Sequence, residues 1–322
     1  MTSWPPRRPG QPSGSSASSI ESAFAKKVTH SAGVARQHNG RLGKEDNCQV
    51  GVFLLGVTPA GSALLDHRLD LPQAWCEETS EARARREKAH IPEGVEFSPK
   101  ARITAELVRE VAVLGPTNLD WIAADEEYGK AGHFHDSMDE LGQQYVVEVP
   151  TTTTVWTEDP AGCVPASSGR GRTPTTPTRE GVLSVVAVAA GLPAGSWRAL
   201  KVREGACGPL VFEFAAVRAW AMRDRRPGPP VWLLIRRSLE AEPEVKDSIS
   251  NGDAATPLGV LSVVACSRFP VEEFFEACKT YLGMTQYETR SSVGWHHHMA
   301  LVAVAHLFVT LTRVRLKKRR RA

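Results

Sequence analysis

The sequence predicts an α/β fold with a mixed β-sheet and flanking helices, and three observations carry that expectation. Short β-prone apolar segments alternate with segments of helical periodicity up to Pro150. Clusters of Gly, Asn and Asp separate the early apolar segments, as turns of a hairpin do. With 42% apolar and 23% charged residues, a chain of 322 residues can bury a sizeable core, which excludes a wholly disordered or fibrous protein.

Residues 1–19 are rich in Pro, Gly and Ser and are expected to form a disordered tail. SAGVARQ and CQVGVFLLGV read as strands joined by the turn NGRLGKEDN, and LLDHRLDLP as a third strand stopped by proline. EETSEARARREKAH is a solvated helix or loop, and KARITAELVREVAVLG has helical spacing with Gly115 as its C-cap. WIAAD is a short buried strand, GHFHDSMDELG a helix and QYVVEVP a strand, giving the order β-β-β-α-β-α-β. Residues 151–180 read as a mobile, exposed Thr/Pro/Gly/Arg-rich loop, and strands follow in WRALKVRE, LVFEFAAVRAW and VWLLIRRSL. A last helical region runs from near Pro270 to about Arg313 with a break around Gly283. The expected organisation is therefore a tail at 1–19, a first part at 20–150, an insertion at 151–240, a helical part at 241–313 and a basic tail at 314–322.

Net charge is +3, too small by itself to announce a nucleic-acid partner. The basic run Lys317, Lys318, Arg319, Arg320 and Arg321 reads equally as a solvated terminus or a phosphate contact. Six cysteines without a CxxC pair fit neither a zinc ribbon nor a disulfide framework, so a reducing cytoplasm is expected. The N-terminus has no apolar core of a secretory signal. The longest apolar stretch, around Met299 to Val309, contains His306 and reads as too short to span a bilayer, so no membrane partner is expected.

Two places could carry chemistry. Asp125 ends the strand WIAAD, where a side chain leaves the packed sheet on a fixed backbone; the plainer reading is a helix N-cap. In RFPVEEFFEACK, Val271, Phe274, Phe275 and Cys278 form an apolar stripe, and Arg268, Glu272 and Lys279 share a line along its edge. A carboxylate between two cations suits a metal ligand flanked by phosphate-binding groups, while an ordinary amphipathic helix with charge pairs explains the same spacing. His296, His297 and His298 are consecutive, so on a helix they diverge by about 100° each and cannot face one ion. Trp156 reads as a loop anchor in preference to a base-stacking platform.

GVARQHNGRLGKEDNCQVGVF, ALLDHRLDLPQAW, WIAADEEYG, WLLIRRSL and RFPVEEFFEACKTYLGMTQYETRSSVGWHHHMALVAVAHLF occur in this order. In that order and register the chain resembles bacterial insertion-sequence transposases, the branch named for insertion sequence seven-zero-one, from about Glu21 to Val309. The resemblance implies an RNase H-like fold in which Asp, Asp and Glu hold two divalent ions for in-line attack at DNA phosphorus, with Mg²⁺ (or Mn²⁺) as the hard cation. It places the second Asp at Asp125, in DxxYG with Tyr128, and the third carboxylate at Glu272. Arg268 and Lys279 match the family's Y-x2-R-x3-E-x6-K signature and would hold phosphates. DNA is the implied partner, a second copy of the chain is a candidate partner, and the nucleoid is the implied location.

The departures are equally specific. The family's first Asp opens a D-(D/E)-(S/T)-(G/A)-F segment followed by a Lys pair. Here IESAFAKK matches at Glu21, Ser22, Phe24, Lys26 and Lys27, but Ile20 takes the place of the Asp. Ala265 replaces the signature Tyr, and Cys207 and Leu210 replace two cations of an EGxKGPR segment. Everything before Ile20 is unlike the family, so the first strand is expected to be missing and the chain to be a truncated or degenerate, catalytically impaired copy. Glu21 cannot replace the Asp, because one step along a strand points it to the opposite face. The alternative is a remnant that binds DNA or a partner transposase without cutting.

Overall fold

The computed structural model describes residues 16–39, 43–114, 119–160, 169, 181–205, 208–223 and 226–319. Its chain forms two units, residues 1–120 with 267–322, and residues 121–266. The expected boundaries at 150 and 240 both fall inside the second unit, because WIAAD and QYVVEVP pack with the later strands.

In the first unit β1 (Ser16–Ala25) runs antiparallel to β3 (Lys44–Thr58) over ten residues, from Ser16 opposite Val57 to Ala25 opposite Cys48. A strand therefore occupies the place where the sequence predicts a disordered tail and a missing first strand. Ala17, Ser18 and Ser19 are fully buried, because small side chains let neighbouring layers close over this part of the strand. The other edge of β3 pairs with β2 (Ala35–Asn39) and then with β4 (Gly61–Leu69). β2, β3 and β4 correspond to the three strands read from the sequence; of the expected turn NGRLGKEDN, Asn39 belongs to β2, Lys44–Asn47 belong to β3, and 40–42 lie outside the described residues.

Side-chain parity along β1 sorts the two layers that cover this sheet. Ser19 and Glu21 face α3 (Lys100–Leu114): the Ser19 and Thr104 hydroxyls lie 2.7 Å apart, and Lys100 Nζ donates to Glu21 at 2.6 Å. The opposite face carries Ile20 and Phe24 into an apolar cluster with Phe53 and Leu55 of β3. That cluster is closed by Val271, Phe274, Phe275 and Cys278 of α8 (Phe269–Tyr281) and by Trp295, Met299 and Val302 of α9 (Ser292–Arg319). Two further helices, α1 (Gln73–Cys76) and α2 (Ser80–Lys88), border it, with Trp75 Nε1 donating to the Val34 carbonyl. The predicted C-cap Gly115 lies outside the described residues.

The 28-residue α9 carries apolar residues on both its buried and its exposed face, with a basic last turn. One face buries Trp295, Met299 and Val302, and the other exposes Leu301, Val304, Phe308 and Leu311. Ser292–Lys317 is therefore long and apolar enough to cross a membrane by length and composition, contrary to the reading that the stretch is too short. The few polar residues between Met299 and Leu311 do not interrupt the helix, and the run counts from Ser292.

The second unit is a mixed sheet with helices. β5 (Trp121–Ala124) pairs parallel with β6 (Gln144–Val149), as the α-helical crossover α5 (Gly132–Glu140) allows. Antiparallel pairing then continues from β6 to β12 (Val245–Ser250), β11 (Arg226–Arg237) and β10 (Gly208–Arg223). The long β10 pairs at its start with β9 (Arg198–Gly205) and near its end with β7 (Thr154–Trp156), which pairs with β8 (Val182–Ser184). Val155 and Trp156, inside the predicted mobile loop, are buried; most of 161–180 lies outside the described residues. α6 (Val185–Gly191), not expected from the sequence, and α7 (Leu258–Ala265), within the stretch expected to be helical, complete the unit.

Asp247 of β12 is 4% exposed, between Ile235 and Val149 in the sheet, and its Oδ1 has no hydrogen-bond partner among the described residues. Burial raises its pKa from 3.8 to about 6. An acid whose folded pKa is raised opposes folding where it is ionised, so the opposing contribution is full above pH 6 and fades as pH falls towards 4. Asp247→Asn is expected to stabilise the protein by about 2–3 kcal/mol at pH 8 and by nothing at pH 4, read from denaturant melts at both values. Phe53, fully buried against Phe24, Phe275 and Trp295, is expected to cost about 3–5 kcal/mol on truncation to Ala in the same melts.

Candidate functional site

Asp125 follows the last residue of β5, a strand whose four residues are all buried. Leaving the sheet, its Oδ1 accepts the Glu127 N–H at 3.1 Å and caps α4 (Glu126–Gly129). The plainer sequence reading, an N-cap, is thus what this side chain does here. A carboxylate has about four lone-pair sites on two oxygens, so capping and metal ligation are compatible.

The DxxYG pattern has a packing explanation. Tyr128 is 1% exposed and meets the Phe134 ring edge-on at 5.6 Å. Gly129 lies so close to β6 that a Cβ there would stand 1.9 Å from the Glu148 carbonyl oxygen. The Gly129 carbonyl can only accept, so His135 donates to it from Nε2 at 3.0 Å and receives the Tyr145 hydroxyl proton on Nδ1 at 2.9 Å. Burial lowers the pKa of His135, which keeps it in this neutral, one-tautomer form. Arg223 donates to Tyr145 Oη and to Asp136 and Asp139, and Asn251 joins Asp139 to the Tyr145 backbone N–H. This network, invisible in single-residue reading, fixes the turn that presents Asp125.

Glu272 stands exposed in the first turn of α8, in the other unit. Cys266–Arg268 form a 3-10 turn, and Arg268 keeps helical dihedrals (φ −69, ψ −30) into α8. Pro270 sits at the start of the helix, where its missing N–H costs nothing, so Arg268 and Glu272 stay one helical turn apart. Lys279 emerges two turns further on, with Nζ 5.2 Å from the centre of the Phe275 ring and 5.7 Å from that of Phe24. The structure thus groups Arg268, Glu272 and Lys279 on one helix and keeps Asp125 on a strand end of its own unit.

Position 20 offers no oxygen. Ile20 packs against the cluster that α8 closes, and Glu21 is turned to α3 and engaged by Lys100. Asp46 and Asp66 each accept the N–H of the next residue. Among the described residues no group of three or more His, Cys, Asp or Glu side chains could hold a metal ion. Carboxylate oxygens of the kind that Asp125 and Glu272 carry suit Mg²⁺ or Mn²⁺ chemically, and the hydrocarbon side chain of Ile20 offers none. The three histidines diverge as expected, His296 bonding the Ser292 carbonyl and His298 that of Gly283, while His297 is exposed. Trp156, 3% exposed, has no open ring face for a base.

Gly129→Ala is expected to drive Cβ into the β6 backbone and lower stability by more than the usual Gly-to-Ala effect, about 2 kcal/mol or more in denaturant melts. Gly142→Ala is less informative, since its positive φ strains any side chain.

Compared with known families, residues 21–209 match the one described as DDE superfamily endonuclease, more than half of the chain. No curated protein matches the chain. The matched segment opens at Glu21, immediately after Ile20, contains Asp125 and ends before Arg268, Glu272 and Lys279. Its extent makes the assignment a matter of the fold's main body: the chain belongs to the DDE superfamily of endonucleases.

Proposed function

We propose that the protein is a transposase-derived member of this family, of the branch named for insertion sequence seven-zero-one, that grips DNA but is impaired in cutting it. The family membership carries the DNA-directed part of this reading. The impairment is carried by one observation: the residue at the start of the ESAF segment is Ile20, its side chain in an apolar cluster, with the neighbouring carboxylate Glu21 held on the other face by Lys100.

In this reading Asp125 and Glu272 bind divalent metal through carboxylate oxygens, and Arg268 and Lys279 bind backbone phosphates through charge-assisted hydrogen bonds. Mg²⁺ or Mn²⁺ would supply activation of the attacking water or 3′-hydroxyl and stabilisation of the leaving oxygen. With one of three carboxylates replaced by a hydrocarbon, metal affinity and transition-state stabilisation both fall, by orders of magnitude in rate. The protein would work at DNA in the nucleoid, alone or as a homodimer, and the reading needs no membrane partner. A second reading, a remnant that binds DNA or an intact transposase without any cleavage, is favoured by the same Ile20 packing.

The test is nicking of supercoiled DNA with Mg²⁺ or Mn²⁺. Wild type is expected to be inert or nearly so, and Ile20→Asp to raise nicking by about two orders of magnitude or more, with Asp125→Ala or Glu272→Ala abolishing the gain. Efficient wild-type nicking that Asp125→Ala removes would overturn the impairment. An inert Ile20→Asp protein that melts normally and binds DNA would favour the binding remnant.

A further inference from the structure

α9 is fastened to the first unit by one face along most of its length. Trp295, Met299 and Val302 enter the apolar cluster, the buried His306 ring meets that of Phe274 edge-on at 4.6 Å, and the Thr310 hydroxyl donates to the Ser62 carbonyl of β4 at 3.5 Å. With that face fixed, the opposite one cannot turn inwards. Leu301, Val304, Phe308, Leu311 and Arg315 follow one another at offsets of three and four residues, so they form one line down the opposite face. All five are exposed, Val304 at 65% and Phe308 at 71%. α9 contains no Asp or Glu, and its lysines and arginines all lie from Arg313 onwards, with Arg313, Arg315, Lys317 and Arg319 exposed.

We propose that this face of α9 is a docking surface for an anionic lipid bilayer, on which the helix lies flat. The proposal goes beyond the DNA-directed reading, which leaves this face unused and needs no membrane. An exposed apolar line that runs on into cations fits an occupant offering hydrocarbon and negative charge together. A bilayer interface offers both: its acyl chains take up Leu301, Val304, Phe308 and Leu311, and its anionic headgroups meet the arginines and lysine that follow. A nucleic-acid backbone supplies the charge without the hydrocarbon. A second copy of α9 supplies the hydrocarbon but brings the same cations and no carboxylate to meet them. From Leu301 to Arg315 the line extends about 21 Å along the helix, ample for an interfacial contact. Ser292–Lys317 is long and apolar enough to cross a bilayer, but crossing would pull Trp295, Met299 and Val302 out of the apolar cluster. Lying in the interface leaves that cluster intact.

The experiment is co-sedimentation of the full chain with mixed phosphatidylglycerol–phosphatidylcholine vesicles and with vesicles of phosphatidylcholine alone, across a salt series. Wild type is expected to bind the anionic vesicles more tightly than the neutral ones and to lose that preference as salt rises. Phe308→Ala is expected to weaken binding about ten-fold and Arg315→Gln about five-fold. Val113→Ser, at an exposed apolar position of α3, is expected to leave binding unchanged. All three side chains are exposed, so denaturant melts of the variants are expected to match those of the wild type. A wild-type chain that ignores anionic vesicles, equal binding to neutral ones, or binding that neither α9 substitution weakens overturns the proposal and leaves the DNA-directed reading intact. A chain that is dimeric without lipid and becomes monomeric in Phe308→Ala overturns it in favour of a second copy on the same face.

Discussion

Alternation along β1 is the constraint on which the candidate chemistry of the first unit depends. Ten residues locked antiparallel to β3 leave each side chain only one of two faces. One face is packed by α8 and α9, and it receives Ile20 and Phe24; the other is packed by α3, and it receives Ser19 and Glu21. A slip of one residue would exchange the two sets, burying Glu21 in hydrocarbon and exposing Ile20 to Lys100. The register is therefore strongly specified, and Glu21 cannot drift into the position that Ile20 occupies. The carboxylate beside Ile20 stays with Lys100 on the α3 face.

The second unit shows how a loop acid can be held rigidly without being buried. Asp125 is presented by a turn whose end, Gly129, touches the backbone of β6, and whose carbonyl is bonded by His135. His135 is in turn fixed by Tyr145, and Tyr145 by Arg223 with its two aspartates. Each link uses a polar group that burial would otherwise penalise, so the network both satisfies those groups and sets the orientation of the turn. Glycine in the DxxYG pattern then reads as a demand for close approach, and tyrosine as a buried anchor, with only the Asp left to chemistry.

Charge in the first unit is arranged by aromatic rings as much as by ion pairs. Lys26 on Tyr287 and Lys279 near Phe24 hold two positive heads in fixed places at the edge of the core. The arrangement links the end of β1 to α8, the two elements that carry position 20 and Glu272.

Much of the architecture was legible in the residues themselves. β-prone apolar runs bounded by turn residues marked β2, β3 and β4, and helical spacing marked α3 and α8, whose apolar stripes record one buried face. The line Arg268, Glu272, Lys279 could also be read directly, since helical spacing alone puts it on one edge. What the residues did not reveal were β1, whose buried stretch Ser16–Ser19 is too small and polar to look like a strand, β7, a three-residue piece in a Thr-rich segment, and β12, a six-residue strand inside the stretch 241–313 expected to be helical. α9 was read as too short because its apolar count was stopped at polar residues that a helix simply turns past. Only the tertiary structure decided the company each side chain keeps: Ile20 against the apolar cluster, Glu21 with Lys100, Gly129 against Glu148, Lys26 on Tyr287. Local periodicity specifies which face of an element is buried, but partners far apart in the chain are chosen by how the layers pack, and no window of sequence contains that information.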